Sequence, residues 1–206
     1  MNELLPATCC NLRGTDQFHD SMWLIATMVS VLRQHFGTDD RMTLGKSTFK
    51  WSRDPNVSKV VVDNIDNTDF GQGDKFPRVL VDLENQGFPR DVIGDADVFD
   101  PESGTMNYSV RTESAYSIEA WGLKKLEALA LADEVRLFIQ TYRRQIAHQN
   151  CFNYIRPAQV IKPVKSKMYD DYWIARVIIA FDISDTWGVA EESLKAGALE
   201  MSLVEV

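Results

Sequence analysis

Cysteine is scarce in this chain and badly placed for metal or redox chemistry. Cys9 and Cys10 are adjacent, Cys151 stands far away, and no C-x-x-C spacing occurs. A disulfide framework, a zinc knuckle and a thioredoxin-type motif are therefore excluded, and reduced thiols in a cytoplasmic setting are the simplest reading. Histidine is equally sparse, with only His19, His35 and His148. No G-x-S-x-G, H-E-x-x-H or dinucleotide glycine pattern is present. Long apolar runs are missing too: the longest, residues 22–32, is broken by Thr27 and Ser30, about half of the ~20 residues a membrane helix needs. The first ten residues, MNELLPATCC, lack the basic start and apolar middle of a signal peptide. Positive charge is in deficit, with 22 Lys and Arg against 30 Asp and Glu. That balance argues against a non-specific nucleic-acid binder, which must displace counterions with clustered cations.

The 206 residues, 45% hydrophobic and 25% charged, have the balance of an ordinary globular protein, with enough chain for a real core. No internal repeat or low-complexity tract interrupts them. A single domain over residues 1–206 is expected.

Hydrophobic spacing gives the elements. Phe18, Met22, Ile25, Val29, Leu32 and Phe36 alternate spacings of four and three, which predicts a helix over 16–36 with one apolar stripe, widened by Trp23 and Met28. Thr15 or Asp16 is expected to cap its start and Gly37 to end it in a left-handed conformation. Short β-like runs follow at 47–51 and 59–63. A turn-rich loop is read over 64–75, a strand over 77–83, and a long loop over 84–107 in which 92–93 and 98–99 can form a small hairpin. Residues 108–121 read as one long strand or a bent pair.

A second helix is expected over 123–148, its stripe made by Leu131, Val135, Phe138, Tyr142 and Ile146 and flanked by Leu126, Ala128 and Ile139. Residues 160–164, interrupted by Pro163, read as a short edge strand. Residues 172–183 alternate so well, with apolar residues on both faces, that a central strand covered on both sides is expected. The tail 189–206 can form one more helix. The order predicts an α+β fold: a mostly antiparallel sheet with two main helices packed against it, long loops, and a compact heart over about 108–183.

Candidate chemical motifs fail on spacing. Leu44 to Thr48 (LGKST) invites a phosphate-loop reading, but Asp40 stands where the first glycine is required. Asp63, Asp66, Asp69 and Asp74 form an acidic loop, yet counting from Asp66 puts Phe70 at the fifth position and Pro77 at the twelfth, which no EF-hand tolerates. Asp95, Asp97 and Asp100 are looser still. His148 and Cys151 are near each other in sequence, but a histidine at a helix C-terminus is explained by the macrodipole. Glu84 or Glu119 can join an Asp as a carboxylate pair, and nothing selects one pair. No catalytic, cofactor-binding or metal site is expected. Of the basic clusters, Arg143 and Arg144 suit a helix C-terminus, and Lys162, Lys165 and Lys167 form another group. Lys124 and Lys125 sit at a helix start, where the dipole disfavours them, so they are candidates to face a partner.

Residues 116–139, YSIEAWGLKKLEALALADEVRLFI, combine a strand ending in Trp-Gly with a helix of the pattern E-A-x-x-L-A-D-E-V. This segment resembles the tail terminators, or tail-completion proteins, of tailed bacteriophages. Residues 77–90 (PRVLVDLENQGFPR) resemble the strand and turn before that unit, and residues 173–187 (WIARVIIAFDISDTW) its closing strand. The resemblance implies a structural protein of the virion neck with no enzymatic activity and no cofactor. It implies a homo-oligomeric ring, commonly a hexamer, that caps the last ring of the tail tube, stops its polymerisation and presents a docking surface to the head–tail connector. DNA would be passing cargo, and no membrane partner is implied. On this reading the sheet edges and second helix make ring contacts, while the loops 64–75 and 84–107 touch tube or connector. Phe70, Phe88 and Arg90 are the expected anchors, beside Lys124 and Lys125. A connector or stopper protein of the same neck is one alternative; a small cytoplasmic enzyme with a carboxylate site is another.

Overall fold

The computed structural model describes residues 19–38, 49–54, 56–67, 77–87, 98–100, 105–167 and 172–190. Helix α1 spans Ser21–Gly37. Asp20 caps it, accepting the Trp23 N–H at 2.6 Å; Thr15 and Asp16 lie outside the described residues. Leu24, Ile25, Met28, Val29, Leu32, His35 and Phe36 are its buried set. Ile25, Val29, Leu32 and Phe36 of the expected stripe are buried, as is Met28 beside it; Met22, in the first turn, is the exception at 68% exposed. Gly37 stays helical, contrary to expectation. The helix ends instead on extended Thr38, whose hydroxyl donates to the Gln34 carbonyl at 2.8 Å, while Trp51 N–H donates to the Phe36 carbonyl at 3.0 Å.

The described residues 49–51 are not a strand. Strand β1 covers Val61–Asn64, β2 Arg78–Gly87, β3 Val98–Asp100, β4 Thr105–Gly122, β5 Phe152–Lys165 and β6 Trp173–Ala190; helix α2, Lys125–Gln149, joins β4 to β5. The sheet order is β1-β2-β4-β6-β5, with β3 also paired to β4. Only β1–β2 is parallel; the other pairings are antiparallel. The fold is α+β, as the element order predicts.

Three corrections concern the sheet. The loop expected over 84–107 is partly strand: β2 runs to Gly87 past a bulge at Leu83/Asn85, and 98–100 pairs with β4; residues 92–93, the other arm of the expected hairpin, lie outside the described residues. Strand β5 has 14 residues, not the few around 160–164. Pro157 and Pro163 break the alternation in the sequence, but the strand holds its place at the sheet edge by shifting register at Phe152/Tyr154, Pro157/Gln159 and Ile161/Val164. Strand β6 extends to Ala190, so 189–190 is sheet; residues 191–206 lie outside the described residues.

The helices share one face of the sheet. Val60, Val62, Val79, Val81, Tyr116, Ile118, Ala120, Phe152, Ile155 and the odd-numbered residues of β6 from Ala175 to Ile183 are buried there. Against them α2 packs Ala128, Leu131, Ala132, Val135, Ile139 and Ile146. Tyr116 and Phe181 stack at 4.4 Å with Phe152 edge-on at 6.4 and 5.3 Å, and the Tyr116 hydroxyl donates to the Leu24 carbonyl at 2.9 Å. Leu126, expected to flank the stripe, is 77% exposed, because it lies in the first turn where α2 has only begun to cross the sheet. The opposite face of β6 is not helix-covered among the described residues. Ile174, Ile178 and Ala180 are half-buried on it and Arg176 is exposed.

Candidate functional site

Two polar networks occupy the helix-free face. In one, the fully buried Asp182 carboxylate accepts from the Arg111 guanidinium and from Asn153 Nδ2 at 2.7 Å. Asn153 also donates to Ser184 Oγ at 2.9 Å, and Arg111 reaches Glu113 at 3.4 Å. The hydrogen bond and charge of Asp182 push the Arg111 pKa above its ordinary value, so this cation is fixed. The Tyr154 hydroxyl is also raised, first by burial and then by the Glu113 and Asp182 charges. In the second network, Glu119 accepts from Arg176 Nε at 2.6 Å and from Trp121 Nε1 at 2.8 Å.

These arrangements bear on the carboxylate-pair expectation. Glu119 faces a guanidinium and an indole, not a second carboxylate. Glu113 and Asp182 are register partners across β4 and β6, but Arg111 is bonded to both. A buried carboxylate held by a guanidinium and an amide is a positioned ion pair, with both oxygens already hydrogen-bonded. Sequence reading passed over Asp182, although a charged residue inside the most apolar strand was the available signal.

Elsewhere the titratable groups tie elements together. His19 Nδ1 lies 2.7 Å from Asp185 Oδ1, and its backbone N–H also donates to that oxygen at 3.0 Å; together they pin the start of α1 to β6. His35, buried between the helices, stacks on Phe138 at 4.0 Å and lies 3.3 Å from Glu134 Oε1. His148 is in the last turn of α2. Cys151, in the turn that follows, has a φ of 57°. Asp63 sits 3.4 Å from Arg33, which also donates to the Val62 carbonyl at 2.9 Å. Among the described residues no group of three His, Cys, Asp or Glu side chains converges as metal ligands; Asp69, Asp74, Asp95 and Asp97 lie outside those residues, as does the 44–48 segment.

The sharpest local geometry is the passage from β4 to α2. A Cβ on Gly122 would stand 2.9 Å from the Ala128 backbone nitrogen and 2.9 Å from Glu127 Oε2, so the first turn of the helix folds directly onto the strand end. Lys124 is the N-cap residue but gives no side-chain cap. Glu127 reaches back instead and accepts the N–H of Leu123, the residue before the cap, at 2.8 Å. This holds Leu123, Lys124, Lys125 and Leu126 outward, with Lys125 Nζ 5.6 Å from the Trp173 ring centroid.

Of the expected interface residues, Lys124 and Lys125 are thus exposed at one end of the sheet. Phe70, Phe88 and Arg90 lie outside the described residues. No family model matches the chain, and no curated protein matches it.

Proposed function

We propose that this chain is a non-enzymatic assembly protein of the tailed-phage neck: a tail terminator that closes as a homo-oligomeric ring, commonly a hexamer, on the last ring of the tail tube. It stops tube polymerisation, offers its outer surface to the head–tail connector and lets DNA pass through the lumen. Its place is the virion, reached by assembly in the host cytoplasm. The chain's net charge of −8 suits a lumen through which DNA passes without being trapped. No described helix is long and apolar enough to cross a membrane.

The observation that carries this reading is the β4–β6 ladder. The strands pair over 18 residues each, where strands of globular domains are usually 3–10 residues long. The ladder runs without a register shift from Gly122↔Trp173 to Thr105↔Ala190. A two-stranded ladder of this length serves contact with neighbours better than it serves catalysis. The Trp121–Gly122 turn into α2, which carries the family resemblance, lies at one end of that ladder.

The test is tail length by electron microscopy in a phage with a nonsense codon in this gene. Overlong or ragged tubes unattached to heads are expected. Tubes of normal length beside heads that leak DNA would move the protein to the connector side of the neck, and normal infectious particles would overturn the reading.

A further inference from the structure

Strand β5 does not follow β6 evenly. Phe152 pairs with Ile183 and Tyr154 with Asp182, so Asn153 is an extra residue, a bulge. That one residue sets the facing of the chain up to the next shift at Pro157/Gln159. With it, Ile155 lies opposite Phe181 in the core, and Arg156 lies opposite Ala180, exposed on the helix-free face. Without it, Arg156 would turn into the core and Ile155 out of it, because a slip of one residue exchanges the faces. The apolar pattern asks for the bulge, but an extra residue leaves the ladder locally broken and has to be held.

Side chains hold it. Asn153 Nδ2 donates to Asp182 Oδ1 at 2.7 Å and to Ser184 Oγ at 2.9 Å, one on each side of Ile183. Arg111 grips the other oxygen of Asp182 from β4. Asp182 is thus tied to both neighbouring strands while fully buried. Such a carboxylate is a poor source of stability, since well-packed apolar residues in place of a buried ion pair are often neutral or better. What it supplies is position. Pairing of β4 with β2 ends at Gly87↔Glu113, and pairing of β6 with β5 ends at Phe152↔Ile183. Beyond this level β3 is the one further strand on the β4–β6 ladder among the described residues.

We propose that Asn153, Asp182 and Arg111 form a register lock: the buried carboxylate holds the β5 bulge and so fixes which face residues 154–157 present, at the level where the sheet narrows. The lock stands on this geometry alone and is independent of the neck reading.

The experiment is hydrogen exchange of the full chain, resolved by peptide with mass spectrometry, beside urea denaturation. Asp182→Leu is expected to keep a midpoint equal to or above that of wild type, because Arg111 is half-exposed and has Glu113 3.4 Å away as a second carboxylate. Exchange over 153–156 and 180–184 is expected to quicken roughly tenfold or more, while 78–82 in β2 and 131–139 in α2 exchange as in wild type. Asn153→Ala removes the tie from β5 alone and is expected to give the same local quickening. Asn153 is exposed, so this variant decides the question if Asp182→Leu fails to fold. Wild-type exchange over 153–156 in Asn153→Ala overturns the lock. So does quickening spread evenly over the sheet with a lowered midpoint in Asp182→Leu, which would make Asp182 an ordinary stabilising ion pair.

Discussion

Gly122 shows how much can rest on the absence of one methyl group. The atom nearest to its missing Cβ is a backbone nitrogen, at 2.9 Å, which cannot move without the helix. Glu127, the other neighbour, is held by its bond to Leu123. Gly122→Ala is therefore expected to cost about 1–3 kcal/mol, the range for overpacking a tight site, read as a lower urea midpoint with an unchanged slope. A variant as stable as wild type would show that the turn has slack. Cys151 presents the inverse case: a residue with a Cβ held at a φ of 57°, in the region that glycine occupies without penalty.

At the scale of elements, Tyr116 joins α1 to the centre of the sheet. Its hydroxyl donates to the Leu24 carbonyl, and burial pushes its pKa far above the ordinary tyrosine range. Below about pH 10 both the folded and unfolded phenol are protonated. Above it the unfolded chain releases a proton that the folded chain keeps, so stability falls as pH rises. Tyr116→Phe is expected to be about 1 kcal/mol less stable than wild type at pH 8, through the lost hydrogen bond. That gap should narrow from pH 10 to 11 as wild type alone loses the phenol's contribution. Parallel denaturation curves at both pH values measure this; a gap independent of pH would mean that the phenol ionises in place. The edge strand β5 has a different function. Its prolines, bulges and lysines discourage pairing with a foreign strand, and Arg33 covers the Val62 carbonyl on β1. Ring contacts through bare sheet edges, expected from sequence, fit these edges poorly.

For the whole molecule, the net charge of −8 sets how copies of the chain meet. Like charge opposes the ring closure proposed above, and salt screens it. Raising ionic strength from about 0.1 M to 1 M shortens the Debye length from ~10 Å to ~3 Å, so self-association by sedimentation equilibrium should strengthen several-fold over that range. Association that weakens with salt would put contacts between opposite charges in control.

The sequence alone determined the period of each helix, the two longest strands, the antiparallel bias and the edge position of β5, because alternation and proline placement act locally. Lys124 and Lys125 were legible as outward-facing because a helix start repels cations. The buried side of α1 was legible from Ile25, Val29, Leu32 and Phe36; the sequence could not say that Met22, at the same spacing but in the first turn, stays exposed. Nor could it show that Asp182 meets Arg111 and Asn153, residues 71 and 29 positions away. The placing of Asp182 opposite Glu113 and Tyr154 was equally hidden. Register between β4, β5 and β6 decides it, and register is a property of paired strands, not of any one of them.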